Sequence, residues 1–244
     1  MLIDAKELGY KEINEKIRES GKECEIVGAL GQRFIAAGMS GNTISIDGVP
    51  GNALGAYLNG ASIKVKANAQ DAVGDTMNDG LIVVGGNIGD AAGYAMRGGK
   101  IFVKGDAGYR AGIHMKAYKE KIPVMIIGGR AGSFLGEYQA GGVIVVLGLK
   151  SESARDNSGK IVGYFPCTGM HGGKMYLRSD CEGIKFPGQV NVAHAKGKDL
   201  DELKEYIGEY CEEFGLNADE ILDADFTVVT PDSKNPYKQM YVAN

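Results

Sequence analysis

Apolar residues recur at a fixed spacing of 19 through the middle of the chain. They form three rows, one of isoleucine, one of valine, and one of leucine and methionine. Their members are Ile63, Ile82 and Ile101; Val65, Val84 and Val103; and Leu58, Met77, Met96 and Met115. Glycine keeps the same period at Gly55, Gly74, Gly93 and Gly112. A fixed period of this length predicts a repeat architecture in which equivalent side chains stack.

Each repeat carries one short β-rich segment. In chain order these segments are NTISIDG at 42–48, IKV at 63–65, LIVV at 81–84, KIFV at 100–103, VMII at 124–127, VIVV at 143–146 and KMYL at 174–177. No unit holds a helix-length amphipathic stretch between its strands, whereas a helical crossover between parallel strands needs a dozen or more residues. The sequence therefore predicts a mainly β protein, folded as a single-stranded right-handed parallel β-helix of about six to seven coils.

The two ends depart from the repeat and predict small caps. Residues 1–37 form the predicted α/β N-terminal cap, with a charged helix within 4–20 that ends at Gly21. The strands ECEIVGAL and QRFIAAG follow that helix. The β-helix is assigned to 38–180, and a helical cap and tail to 181–244, the whole being one structural unit. Caps are expected because an open solenoid end exposes strand edges.

The stretch DLDELKEYIGEYCEEFG at 199–215 predicts an amphipathic helix that packs on the end of the rod, with docking of a partner as the alternative role. Asp199 is its predicted N-cap, Glu202 lies three residues later, and Gly215 is its predicted C-cap. ADEILDA is predicted as a short helix, and FTVVTP as a strand or extended tail.

Glycines mark the predicted corners of the coils. The segments 86–93, 105–112 and 129–136 share the pattern G-x-x-G-x-x-x-G. A tight corner needs positive φ or close backbone approach, which glycine permits. We expect one of these two at Gly89 and Gly108, and the left-handed conformation suits Asn87 and Asp106. The pattern superficially resembles a phosphate-binding loop, but no helix follows it and it repeats in register, so corner geometry explains it better.

Composition narrows the function classes. Glycine accounts for 38 of the 244 residues, without a collagen period. The formal net charge of −4 argues against a nucleic-acid partner, which would need a basic stripe. The N-terminus is too charged for a signal peptide, and no apolar run approaches the ~18 residues of a membrane span. Four scattered cysteines, at 24, 167, 181 and 211, indicate a cytoplasmic protein with reduced thiols.

The candidate chemistry is sparse. His114, His171 and His194 have no histidine or cysteine neighbour at zinc spacing, which favours structural or interface roles. Cys167 with His171 could suggest a thiol nucleophile, but no helix start or basic cluster near Cys167 indicates a lowered thiol pKa. The sequence therefore predicts no catalytic residue, no cofactor-binding residue and no metal ligand in this chain.

One catalytic alternative stays open. Carbohydrate-active β-helix enzymes place acids and bases in a groove across successive coils, and this interpretation requires such a cleft on one face. The repeats offer Lys64, Lys66 and Lys104, but no acidic ladder at the strands.

The segment GNAQDAVGDTMNDGLIVVGGNIGDAAGYAMRGGKIFVKGDAGYRAGIHMKAYKEKIPVMIIGG resembles the GXGXG-repeat domain that closes the large subunit of glutamate synthase, and its free-standing subunit form. GEYQAGGVIVVLGL, TGMHGGKMYLR and a late Asn235-Pro236-Tyr237 extend the resemblance over about the whole chain. The same repeat occurs in the scaffold subunit of formylmethanofuran dehydrogenase. The stretch SESARDNSGKIVGYFPC departs from the family's usual lead-in to T-G-M-H-G-G.

The resemblance implies a scaffold. Glutamate synthase makes glutamate from 2-oxoglutarate and glutamine-derived ammonia, and its β-helix domain braces the glutamine amidotransferase and the FMN-binding synthase components. FMN and an iron–sulfur cluster are then expected on a partner subunit and no cofactor on this chain. The scaffold of formylmethanofuran dehydrogenase is the alternative within the family, and a homo-oligomer is left open. The insertions at 116–123 and 149–167 are the first places expected to contact partners.

Overall fold

The computed structural model describes residues 1–149 and 160–233, so part of the second insertion and the Asn235-Pro236-Tyr237 segment lie outside the described residues. The strands are β1 (Leu2–Asp4), β2 (Glu23–Leu30), β3 (Thr43–Val49), β4 (Asn59–Val65), β5 (Asp79–Val84), β6 (Lys100–Val103), β7 (Val124–Ile127), β8 (Ala140–Val146), β9 (Gly172–Leu177), β10 (Val190–Ala195) and β11 (Phe226–Pro231). The helices are α1 (Tyr10–Glu19), a 3₁₀ helix (Gly197–Leu203), α2 (Lys204–Phe214) and α3 (Ala218–Leu222).

All these strands belong to one sheet, in the order β1-β2-β3-β4-β5-β6-β7-β8-β9-β11-β10. Pairing is parallel from β1 to β9, and each coil contributes one strand. Ile63 pairs with Ile82, and Ile82 with Ile101, so the 19-residue period of the sequence is the register of the sheet. The predicted single-stranded β-solenoid is confirmed, with about seven turns.

The interior is filled by the stacked rows. The isoleucine row, the valine row and the leucine–methionine row are buried within one continuous core. Opposite the isoleucines lies the period-19 glycine row, which has no side chain to compete for the same space. A Cβ added to Gly55 would lie 2.7 Å from Ile82 Cδ1, and one added to Gly74 would lie 2.6 Å from Ile101 Cδ1. The large and small rows are therefore complementary across the core.

Each coil turns through three alternate residues with positive φ. In four successive coils these are Ala53, Gly55 and Tyr57; Ala72, Gly74 and Thr76; Ala91, Gly93 and Ala95; and Arg110, Gly112 and His114. Their N–H groups bond alternately to the next and the previous coil: that of Ala72 donates to Asp90 O, and that of Gly74 to Leu54 O. These bonds hold alanine and tyrosine in a conformation that L-residues seldom adopt.

The corner glycines Gly89 and Gly108 do not have positive φ; close approach is the reason for them. A Cβ on Gly89 would overlap the Asp71 carboxylate, and one on Gly108 would overlap that of Asp90. The left-handed conformation expected at Asn87 and Asp106 is likewise absent. Their side chains instead accept hydrogen bonds from the next coil: Asn87 Oδ1 from Asp106 N at 2.8 Å, and Asp106 Oδ1 from Arg130 N at 2.7 Å.

Two predictions from the sequence need correction, one on the register of the last coil and one on a predicted strand. Cys167, and not Gly169, is the counterpart of Gly136, because Cys167 N donates to Leu135 O as Gly136 N donates to Ala111 O. Cys167 takes the inward position with φ 61°, and its sulfur lies 3.5 Å from that of Met175. The segment QRFIAAG is not a strand but the first turn region, with positive φ at Phe34 and Ala36.

Both ends of the solenoid carry additional elements, although not those predicted at the C-terminus. Helix α1 buries Ile13 and Ile17 in the solenoid core at the N-terminal end. At the other end, β11 pairs antiparallel with β9, and β10 lies outside β11. The C-terminal helices pack on the flank of the sheet rather than on the rod end, against the outer side chains of β5 to β9. The domain limits at 37 and 180 stay a prediction.

The helix boundaries are partly as predicted. Gly215 ends α2 in the left-handed conformation with φ 65°, as expected of a C-cap. Asp199 is not the N-cap of an α-helix; it lies inside the 3₁₀ helix, and α2 begins only at Lys204. Helix α3 and strand β11 confirm the two elements predicted for ADEILDA and FTVVTP.

Candidate interaction surface

The flank of the sheet is closed by the C-terminal helices. Phe102 and Tyr210 meet edge to face with ring centroids 5.7 Å apart, and both are fully buried. The Tyr210 hydroxyl donates to Val103 O at 3.1 Å. This side of the solenoid is thus occupied by the chain itself, and a partner can reach only the outer surface of the helices there.

The outward lysines of the strands form ion pairs with those helices. Lys64 pairs with Glu213 at 2.7 Å, Lys100 with Glu209 at 2.5 Å, and Lys174 with Glu202. Lys66, by contrast, lies against Glu25 and Asp47, at 3.2 Å from each. The carbohydrate-active interpretation needs a cleft of such residues. Instead, Lys64 lies under α2 and Lys66 bridges carboxylates of neighbouring coils.

Glu202 is the centre of one such contact. It accepts hydrogen bonds from Lys174 and, at 2.5 Å, from the Tyr176 hydroxyl. Partial burial acts to raise the pKa of the Glu202 carboxyl, but the two hydrogen bonds outweigh it and the pKa lies below its ordinary value. The ionised carboxylate is therefore the form that binds the helical layer to β9.

The cysteine side chains lie inside the fold. All four cysteines are unpaired and buried. Burial raises the pKa of the Cys167 thiol far above its ordinary range, and it raises the pKa of Cys24, Cys181 and Cys211 as well. Because the thiolate is the nucleophile, these environments disfavour thiol reactivity. His171 Nδ1 lies 2.9 Å from Gly169 O.

The three histidines have different surroundings. His114 stacks on Tyr138 and meets Tyr94 edge to face, His171 lies against a backbone carbonyl, and His194 Nε2 lies 3.1 Å from Asp225 Oδ1. Among residues 1–149 and 160–233, no group of three or more His, Cys, Asp or Glu side chains could hold a metal ion. That the chain has no site residue of its own stays a prediction.

The first insertion, 116–123, folds back onto earlier coils. Lys121 Nζ binds Asp79 at 2.8 Å, and Tyr118 and Lys121 form an isolated antiparallel bridge. The Lys121 ammonium holds the pKa of the Asp79 carboxyl below its usual value. Tyr118 and Ile122 remain exposed, so this insertion offers an apolar face to solvent.

A row of aromatic rings runs along the turn side of the solenoid. His114 stacks on Tyr138 with ring centroids 5.3 Å apart and planes 8° from parallel. Tyr94 meets the other side of His114 edge to face, at 5.9 Å. The three rings come from three successive coils, and the positive φ at His114 and Tyr138 belongs to the repeating turn.

A second row accompanies the first. Arg110 lies over the Phe134 ring at 4.7 Å, Phe134 stacks on Phe165 at 5.4 Å, and Phe165 meets Tyr164 at 6.2 Å. Phe165 is 62% exposed and Tyr164 is 74% exposed. We call these residues the aromatic surface: Tyr94, His114, Tyr138, Arg110, Phe134, Phe165 and Tyr164.

Residues 11–232 match the GXGXG motif family. The chain belongs to the GXGXG motif family. Within this chain, the family's glycine-rich repeat forms the corners and the inward glycine row, while the aromatic surface lies on the outer side of the turns.

The chain is also similar to a curated protein in sequence and to a solved structure in fold. It is 44% identical over 252 residues to the uncharacterized protein MJ1350 of Methanocaldococcus jannaschii, covering 99% of this chain and 96% of that protein. A chain in the X-ray crystal structure of the formyltransferase/hydrolase complex (FhcABCD) from Methylorubrum extorquens in complex with methylofuran is 18% identical, with a TM-score of 0.59. That match covers 86% of this chain and 73% of the other, and at this identity it shows likeness of fold. No helix among the described residues is both long and apolar enough to cross a membrane.

Sequence reasoning missed the aromatic surface of this GXGXG chain. The insertions lengthen the spacing from 19 to 24 between His114 and Tyr138, which hides their equivalence. A signal was nevertheless present, because each of these two residues follows an inward glycine, Gly112 or Gly136, by two positions. Aligning the units on those glycines would have placed both rings in one outward row.

Proposed function

We propose that the chain is a non-catalytic scaffold subunit that docks enzyme subunits through its aromatic surface. The observation that carries this proposal is the pair of ring rows on the turn side, on coils fixed by backbone bonds above and below. The rings of Tyr94, Tyr164 and Phe165 in these rows are exposed, and those of Phe134 and Tyr138 are half-buried. Contiguous exposed apolar and aromatic surface, with an arginine stacked at its border, is typical of protein interfaces.

Rigidity supports the same role. Tyr138 and Phe165 emerge from turn residues whose φ angles are fixed by the coil, and neighbouring rings restrict their side chains further. Rings that are already ordered lose little conformational freedom on docking, so a larger share of the contact energy appears as affinity. A scaffold that holds two enzymes in register benefits from such a fixed surface.

Two kinds of complex are candidates. The first is a formylmethanofuran dehydrogenase-type complex, in which this chain takes the place of the β-helix scaffold; the fold likeness to a chain of the formyltransferase/hydrolase complex supports it. The second is a glutamate synthase-type complex, supported by the segments MKAYKEKIPV, GEYQAGG and TGMHGGKMYLR. In the second case the partners are a glutamine amidotransferase and an FMN-binding, iron–sulfur synthase subunit, and this chain binds no cofactor.

Purification of the native complex tests the proposal. The affinity-tagged chain is expected to bring down enzyme subunits, and their metal and flavin content distinguishes the candidates. Molybdenum or tungsten supports the first complex, whereas FMN with an iron–sulfur cluster supports the second. Robust turnover by the isolated chain would contradict the scaffold role.

Substitutions then locate the docking surface. Tyr138→Ala and Phe165→Ala are each expected to weaken binding of the purified partner at least about tenfold, as truncation of an interface hot spot does. Tyr57→Ala is the matched control, because Tyr57 occupies the same turn position as Tyr138 on an earlier coil and is 58% exposed. Equal affinities of all three variants and the parent would refute the role of the aromatic surface.

A further inference from the structure

The strand β10 ends the sheet, and its outer edge pairs with no other strand in the described part of the chain. In the order of the sheet it lies outermost, paired only with β11 among the described strands. Val190 is partly exposed, and residues 191–194 are exposed on both faces of the strand. The sequence VNVAHA contains no lysine, acidic residue or proline, which are the side chains that usually block strand addition at an edge.

The hydrogen-bond alternation shows which groups face outward. Asp232 N donates to Gln189 O at 2.9 Å, in the same register as the β10–β11 pairing, so residues 189 and 232 are a hydrogen-bonded pair. In an antiparallel ladder such pairs alternate. Asn191, Ala193 and Ala195 therefore bond to β11, and the N–H and C=O groups of Val192 and His194 point away from the sheet.

We infer that this edge pairs antiparallel with the β10 edge of a second copy, with the two-fold axis at Ala193. Val192 then lies opposite His194 of the other copy, so both outward N–H groups of each chain meet outward carbonyls of the other. Val190 N is not needed, because it already donates to Pro187 O at 3.3 Å. In this register Ala193 lies opposite itself and Asn191 lies opposite Ala195, so these facing side chains are small or carry no charge.

Symmetry favours a second copy over an open-ended chain of copies. Pairing β10 with itself uses the same edge of both chains and closes after two. Pairing β10 with β1 of another molecule would continue without end, and β1 offers only three residues and ends at Asp4. This inference is independent of the proposed function, because it uses the strand edge and not the aromatic surface.

Two cysteine variants of the full chain test the pairing. In the inferred dimer, Ala193 faces its own counterpart in a non-hydrogen-bonded pair, where Cα atoms lie about 4.5 Å apart, within the range that a disulfide spans. Ala193→Cys is therefore expected to form a covalent dimer under mild oxidation. Asn191→Cys is the matched control on the same strand face: its counterparts are offset by four residues, or about 13 Å, and cannot be bridged.

Solution mass and hydrogen exchange complete the test. Light scattering at increasing concentration is expected to show the parent approach twice the chain mass of 25.8 kDa, and Val192→Pro, which removes an outward N–H, is expected to stay monomeric with an unchanged far-UV spectrum. A monomeric parent, or equal cross-linking of both cysteine variants, overturns the inference. So does protection of the Val192 amide that is independent of concentration, since it would place a segment of the same chain on the edge. Protection that appears only when a partner protein is added overturns it in favour of that partner.

Discussion

The glycine row inside the solenoid makes a sharp prediction about packing. Gly74 and Gly38 have the same backbone conformation, with φ +68° at each, but different surroundings. A Cβ on Gly74 would lie 2.6 Å from Ile101 Cδ1 and 3.4 Å from Ile82 Cδ1, whereas a Cβ on Gly38 would meet nothing within 4 Å. Replacing each glycine by alanine therefore separates the cost of the backbone conformation from the cost of overpacking.

The magnitudes follow from these two terms. Left-handed backbone costs a non-glycine residue about 1–2 kcal/mol, and the less flexible unfolded chain returns about 0.4–1 kcal/mol. We therefore expect Gly38→Ala to lower the free energy of unfolding by about 1 kcal/mol. For Gly74→Ala, an extra carbon inside a packed core adds about 1–3 kcal/mol, giving a loss of about 2–4 kcal/mol.

Urea unfolding followed by far-UV circular dichroism measures both losses. Addition of Ile101→Val to Gly74→Ala removes the Cδ1 atom that the new methyl would meet. The double variant should then lose less stability than the sum of its two single variants. Equal losses for Gly38→Ala and Gly74→Ala, or simple additivity with Ile101→Val, would refute the account of complementary rows.

Three further predictions concern the helical layer and the core. Tyr210→Phe removes the buried bond to Val103 O and should lower the free energy of unfolding by about 1–2 kcal/mol in urea titrations, with Tyr206→Phe as the less buried control; no loss would show that this bond is dispensable. Because the folded-state pKa of Glu202 is lowered, its contribution is present above the ordinary carboxyl pKa of about 4.3 and is lost as the pH falls through the lower folded value. Glu202→Gln should thus reduce the unfolding midpoint at neutral pH and converge with the parent in acid, and a difference that stays constant with pH would contradict this. Gln139 is fully buried, and its Oε1 has no hydrogen-bond partner among the described residues; Met115 and Met170 occupy the same position in the neighbouring coils. Gln139→Met should therefore raise the free energy of unfolding by about 1 kcal/mol. A lower free energy of unfolding would instead indicate that the hydrogen bonds from Gln139 to Gly141 O and Gly142 O dominate.

The sequence by itself determined the repeat and the register of its equal, 19-residue units. Residues 19 apart must occupy equivalent places in successive coils, so Ile63, Ile82 and Ile101 identify both the sheet and its buried face. The reason is that stacking is local in this fold: each coil contacts the coils next to it in sequence, so the spacing of equivalent residues can be read directly from the sequence. The N-terminal helix and the end of α2 at Gly215 also follow from local signals, because a helix boundary depends on a few adjacent residues.

Only the tertiary structure decided what depends on distant contacts. The helix predicted for the rod end lies on the flank because its apolar side chains pack on the outer side chains of β5 to β9, and no local pattern encodes those distant contacts. The alternate positive φ at residues such as Ala72 and Thr76 is imposed by bonds to the coils above and below, against the intrinsic preference of the residues. The aromatic surface and the outward edge of β10 have the same origin, since each is created by which coil or strand lies next to which.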